Sequence, residues 1–138
     1  MLPDRPTYSV GAMESAAAIR ALTGLRITVG VGAWVAPRAI GKAFLLAPDD
    51  NPQSPYLARL FGARDAALAY GVLDSSGEAQ RRWLVAGLAC DVADTFAAIA
   101  GGRRGYLSPV QSAFLAAPAL AAVAMGVVAL QGGSGDAA

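Results

Sequence analysis

The chain has 138 residues, of which 55% are hydrophobic and only 15% are charged. Soluble domains usually carry about 25% charged residues, so this composition indicates a single-domain integral membrane protein. The net charge of +1 and the absence of histidine exclude a basic nucleic-acid surface, a Ser-His-Asp triad and the usual zinc ligand sets. We therefore expect no nucleic-acid partner, no metal and no cofactor.

The sequence contains apolar runs that are long enough to cross a bilayer as helices, for which about 20 residues are needed. They cover residues 16–36, 56–73, 83–101 and 109–130. This pattern predicts an all-α fold, with four transmembrane helices in an up-down bundle with a buried Arg/Asp cluster. The predicted organisation is a polar N-terminal tail at 1–15, a membrane domain at 16–130 and a flexible C-terminal tail at 131–138.

The first two runs each carry charges at their centres. Arg26 lies in the middle of the first run, too deep to reach the membrane surface easily, and Pro37 ends that run. Prolines at positions 48, 52 and 55 limit the connector to a short interfacial helix over residues 39–47. The second run contains Arg64 and Asp65 at its centre, and its hydropathy makes it the weakest of the predicted spans.

The third run carries Asp91 and Asp94, whose spacing places both carboxylates on one face of a helix. Arg26, Arg64 and Asp65 lie at a matching depth in the first two runs, and a charge near the bilayer midplane needs a partner. We therefore expect these five residues to meet inside the bundle. Arginine prefers bidentate contact with a carboxylate, so the expected pair is Arg26 or Arg64 with Asp91.

The predicted cluster is compatible with three functions. In the first, it fixes helix register in a non-enzymatic component of the cell membrane. In the second, the protein is a membrane-embedded isomerase, cyclase or hydrolase acting on a lipophilic small molecule, and in the third it is a proton-coupled carrier. The enzyme would use Asp91, Asp94 or Asp65 as acid or base, and Arg26, Arg64 and Thr95 would bind the substrate.

Small residues recur every four positions in all of the apolar runs, which favours close helix contacts within a homo-oligomer or a larger membrane complex. This pattern supports the first function. The rows are Gly24, Thr28 and Gly32; Ala63, Ala67 and Gly71; Ala89, Ala93, Ala97 and Gly101; and Ala113, Ala117 and Ala121.

The charged segments also carry a family resemblance. A Gly-rich Leu25-Arg26 helix that ends at Trp34-x-x-Pro37 precedes Leu60-Phe61-Gly62-Ala63-Arg64-Asp65, and Asp91-x-x-Asp94 follows. This arrangement resembles small actinobacterial-type four-helix membrane proteins, described as domains of unknown function, and more loosely the DoxX-like family. The resemblance covers residues 16–129 and implies a four-helix architecture in the cell membrane. DoxX-like proteins are linked to redox complexes, but the chain displays no cofactor or thiol chemistry for that role.

Overall fold

In the computed structural model, residues 9–132 are described, and this part of the chain forms α-helices and contains no β-strand. The predicted all-α fold is therefore confirmed for these residues. The helices are α1 (Val10–Val35), α2 (Pro37–Ala43), α3 (Ser54–Leu73), α4 (Gly77–Arg103) and α5 (Pro109–Gln131).

Helix α1 begins at Val10, upstream of the predicted start at residue 16. The Ser9 hydroxyl caps the helix by accepting a hydrogen bond from the Ala12 backbone N–H at 3.3 Å. Ser15 is buried and donates its hydroxyl to the Ala129 carbonyl of α5 at 2.8 Å. The polar residues that suggested a tail therefore belong to the helical domain from Val10 onward. The remaining parts of the predicted tails, 1–8 and 133–138, lie outside the described residues.

The short helix between the first two long helices has seven residues, fewer than the predicted range of 39–47 contains. Helix α1 ends at Val35, and Pro37 is the first residue of α2, where its missing N–H costs nothing. The predicted interfacial helix at 39–47 is observed at Pro37–Ala43. Leu45, just beyond it, has a left-handed backbone conformation with φ of 58°. The chain turns there toward α3.

The four long helices contact one another in a closed ring. Helices α1 and α4 each pack against both α3 and α5, so α1 lies opposite α4 and α3 lies opposite α5. A buried apolar group at one end joins the start of α1 and α4 to the end of α3 and α5, so consecutive long helices run in opposite directions. Its members are Ala18, Leu84, Val72 and Ala129.

Helices α1 and α3 approach each other closely at a pair of glycines. A Cβ on Gly62 would lie 2.7 Å from the Gly30 carbonyl oxygen, and one on Gly30 would lie 3.0 Å from the Gly62 carbonyl oxygen. The contact at Gly62 is too short for any side chain, and the one at Gly30 is tighter than most real Cβ contacts. The small-residue row that contains Gly24 does not make this contact, because Gly24 faces open space.

Three helices, α1, α4 and α5, are long and apolar enough to cross a membrane. Large apolar side chains are exposed on them, including Val31, Val85, Phe96, Phe114 and Val127. An extensive exposed apolar surface is unfavourable in water but suited to lipid. These helices therefore indicate a membrane protein. Helix α3 is not one of the three, in keeping with its predicted weakness.

The contact between α1 and α3 is testable with a matched pair of glycine substitutions. Gly62→Ala should destabilise the protein by ~1–3 kcal/mol, because the added methyl forces the two backbones apart. Gly24→Ala makes the same chemical change in open space and should be neutral or stabilise by up to ~1 kcal/mol. Thermal unfolding in a neutral detergent, followed by circular dichroism, measures both. Equal stability of the two variants would contradict the tight contact.

Candidate functional site

The predicted five-residue charge cluster forms a continuous network at the centre of the helix ring. Arg26 Nη2 donates to Asp91 Oδ2 at 2.7 Å and Arg26 Nη1 donates to Asp65 Oδ1 at 3.2 Å. Asp65 Oδ1 also accepts from Arg64 Nη2 at 3.1 Å. Arg64 in turn holds both oxygens of Asp94, at 2.9 Å and 2.8 Å. The network therefore runs from Asp91 through the two arginines to Asp94.

The network has a deep part and a more open part. The side chains of Arg26, Asp65 and Asp91 are 6%, 8% and 7% exposed. Those of Arg64 and Asp94 are 30% and 32% exposed. The Arg64 guanidinium also lies over the Phe61 ring, with Cζ 4.3 Å from the ring centroid, which is a favourable cation–π distance. The charges are thus arranged along a gradient of burial.

The pairing within the network differs from the expected one. The bidentate pair is Arg64 with Asp94, whereas Arg26 reaches Asp91 through a single nitrogen. The reason is that Arg26 lies between two acids on different helices and shares its two terminal nitrogens between them. Asp94, almost one helical turn beyond Asp91, is left to the arginine of α3.

Gly87 provides the space that Arg26 occupies. A Cβ at this position would lie 3.0 Å from Arg26 Nη2, so the guanidinium rests directly against the backbone of α4. Gly87 is not among the site residues predicted from the sequence. The sequence feature that could have indicated this role is its position four residues before Asp91, which places both residues on the same face of α4.

A cavity of about 620 Å³ extends from the cluster toward the end of the ring where α2 lies. This volume is within the range of about 300–1,000 Å³ that is typical of ligand pockets. All five cluster residues line it, and its other walls are largely apolar. They include Leu22, Leu25, Val29, Phe44, Leu57, Phe61, Leu115 and Pro118. The cavity therefore combines a charged base with an apolar body.

Thr95 was predicted to bind substrate, but it does not line this cavity. Its buried hydroxyl donates to the Asp91 backbone carbonyl at 2.8 Å, within the same helix. Such a bond to the residue four positions earlier is common for threonine in membrane helices. Thr95 therefore packs behind Asp91, while the five charged residues remain together at the cavity base.

The connector after α2 closes one end of the cavity, between α3 and α5. The Gln111 side-chain amide at the start of α5 donates to the Leu45 carbonyl at 2.7 Å. Lys42 lies 2.6 Å from Asp49, and the Ser54 hydroxyl donates to the Pro48 carbonyl at 3.1 Å. These contacts tie the connector to α2, α3 and α5. This position of the connector was not predictable from local sequence patterns, since it depends on contacts between distant parts of the chain.

Two carboxylate oxygens at the cavity base accept no hydrogen bond from residues 9–132: Asp91 Oδ1 and Asp65 Oδ2. In the same range, every side-chain polar atom that is fully enclosed has a partner. These two oxygens are therefore not completely enclosed, although their side chains are more than nine-tenths buried. Both residues line the cavity.

The chemistry available at this site is hydrogen-bond acceptance, ion pairing and proton exchange by carboxylates. No family model, curated protein or solved structure matches the chain. The site is therefore defined by its geometry alone: a charged network that crosses three helices and opens on one side into an apolar cavity.

The pairing can be tested with double-mutant cycles. Arg64→Gln and Asp94→Asn should be coupled by ~1 kcal/mol or more, because each single change leaves a charge without its bidentate partner. Arg64→Gln combined with Asp91→Asn is the matched control and should be more nearly additive, because no hydrogen bond joins these residues directly. Unfolding in mixed detergent micelles measures the coupling. Stronger coupling to Asp91 than to Asp94 would contradict the observed pairing.

Proposed function

We propose that the protein is an integral protein of the cell membrane that binds a lipophilic, amphipathic small molecule between its helices. The observation that carries the proposal is the cavity of about 620 Å³, which joins apolar walls to a buried charged base. Amphipathic molecules have the same division into an apolar body and a polar end. The binding site would lie at the depth of Arg26, Asp65 and Asp91, near the middle of their helices.

In this proposal α3 is the fourth membrane crossing, in the up-down bundle predicted from the sequence. Its 20 residues extend about 30 Å as a helix, which matches the hydrocarbon thickness of a bilayer. A charged residue at the centre of a membrane helix costs about 2.5–3.5 kcal/mol on insertion scales. The ion pair with Arg26 offsets this cost for Asp65, and the ion pair with Asp94 offsets it for Arg64. Insertion of α3 would therefore depend on its neighbours.

The cavity favours ligand binding over a purely structural role for the cluster. A set of charges that only fixes helix register would be stabilised by complete pairing and close packing around it. Here Asp65 and Asp91 line a cavity, and each keeps one oxygen that accepts no hydrogen bond from residues 9–132. Intramembrane charges with this arrangement are candidates for function.

An enzyme acting on the bound molecule would depend on Asp91 or Asp65 as its acid or base. Asp94 is less suited to this role, because both of its oxygens accept hydrogen bonds from Arg64. Asp91 and Asp65 line the cavity, and each has one oxygen that accepts no hydrogen bond from residues 9–132. An isomerase, cyclase or hydrolase with this geometry would keep its fold and lose its activity in Asp91→Asn.

Ligand occupancy is testable by filling the cavity. Ala97 lines it, whereas Ala93, one turn earlier on α4, does not. We expect wild-type protein purified from membranes in neutral detergent to retain about one lipophilic molecule per protein chain. Solvent extraction followed by mass spectrometry measures this amount. Ala97→Phe should reduce that amount at least tenfold by occupying the space, and Ala93→Phe should not. Equal amounts in both variants, or none in the wild type, would contradict the proposal.

Association into a homo-oligomer or larger membrane complex is a second candidate function. It is favoured by the small-residue row Ala113, Ala117 and Ala121, which is exposed on α5 and lies outside the cavity. Rows of this kind allow helices from different molecules to approach closely in lipid.

The row gives a direct test of self-association. Ala117→Leu should shift the detergent-solubilised protein toward monomer, because the larger side chain separates the helices. Val127→Leu, at another exposed position of the same helix, is the control and should leave the distribution unchanged. Light scattering coupled to size-exclusion chromatography measures the mass. A monomeric wild-type protein would exclude this candidate.

A further inference from the structure

We infer that the molecule held in the cavity has a primary ammonium as its polar end, carried on an apolar chain. This inference rests on the proposed function, since it specifies the chemistry of a ligand that the cavity is proposed to bind. Three properties of the cluster support it: its net charge, the two carboxylate oxygens that accept no hydrogen bond, and the hydrogen bonds that its arginines already donate.

The ionised cluster carries an excess of negative charge. Asp65, Asp91 and Asp94 face only Arg26 and Arg64, which leaves a net charge of −1. All the other residues that line the cavity are uncharged. In such an apolar environment an excess charge is neutralised either by a proton on one of the carboxylates or by a charge of opposite sign. A cationic ligand head supplies the second.

Two carboxylates beside the cavity each have an oxygen without a hydrogen-bond partner. Asp91 Oδ1 and Asp65 Oδ2 accept no hydrogen bond from residues 9–132, and neither is completely enclosed, although both side chains are more than nine-tenths buried. Both residues contact Arg26, so the two carboxylates lie on either side of the same guanidinium. A head group with several N–H donors satisfies them together, as a primary ammonium does.

An anionic head does not fit this arrangement. All three nitrogens of Arg64 already donate to Asp65 or Asp94. Both terminal nitrogens of Arg26 donate to Asp65 and Asp91. An incoming carboxylate or phosphate would raise the net negative charge of a cluster in which three carboxylates already face two guanidiniums. The guanidiniums therefore position the carboxylates of the cluster.

The remaining cavity walls suit an alkyl or similar apolar chain. Leu22, Leu25 and Val29 of α1 face the cavity with Leu57 and Phe61 of α3. Each methylene group that is buried against these side chains adds to the binding affinity. The chain provides affinity, and the head group provides selectivity at the cluster.

The test uses four probes with the same alkyl chain and different heads. Equilibrium dialysis of radiolabelled dodecylamine against the purified protein in neutral maltoside detergent measures binding at pH 7. Unlabelled dodecanol, laurate and dodecyltrimethylammonium then compete. Dodecylamine should bind at least tenfold more tightly than each competitor, because only its head has both positive charge and N–H donors.

Asp91→Asn should weaken dodecylamine binding at least tenfold, because it removes the excess charge while leaving an amide oxygen to accept from Arg26. Asp74→Asn makes the same substitution at an exposed position outside the cavity and should leave binding unchanged. If Asp91→Asn fails to fold, the probe series on the wild type still decides. A competitor that binds as tightly as dodecylamine overturns the ammonium inference and leaves the proposed amphiphile site intact. Failure of all four probes to bind overturns both.

Discussion

Arg26 joins three of the four long helices through one guanidinium group. It projects from α1, donates to Asp65 on α3 and Asp91 on α4, and rests against Gly87. Separating the helices would leave each of these buried charges without its partner, at considerable cost. The same guanidinium positions the two carboxylates at the base of the cavity. Helix arrangement and site geometry therefore depend on one shared guanidinium and its two ion pairs.

The residues of the cluster were predictable from the sequence, but their pairing was not. Charges in apolar runs are costly, so their matching depths were enough to predict that Arg26, Arg64, Asp65, Asp91 and Asp94 meet. Which arginine faces which acid depends on the rotation of each helix about its axis. That rotation is set by contacts such as the one between Gly30 and Gly62, which sequence periodicity does not specify.

Helix boundaries were likewise predictable where they depend on local backbone chemistry, but not where they depend on tertiary contacts. Pro37 and Pro109 marked helix starts or ends correctly, because proline acts on the backbone locally. The predicted start of α1, residue 16, lies after the observed start at Val10, because Ser15 was assigned to the polar tail. Its hydroxyl is satisfied by the Ala129 carbonyl of α5, a residue from the other end of the chain. The cavity could not be predicted either, since its walls come from all five helices and the connector.

The two polar atoms of the Gln111 side chain form hydrogen bonds with different parts of the molecule. Its carbonyl oxygen accepts from the Ser108 N–H and caps α5, while its amide nitrogen holds the Leu45 carbonyl of the connector. The same side chain therefore stabilises the first turn of α5 and holds the connector against it, and each hydrogen bond contributes about 0.5–1.5 kcal/mol. A substitution at Gln111 is accordingly expected to loosen the start of the helix and the connector together.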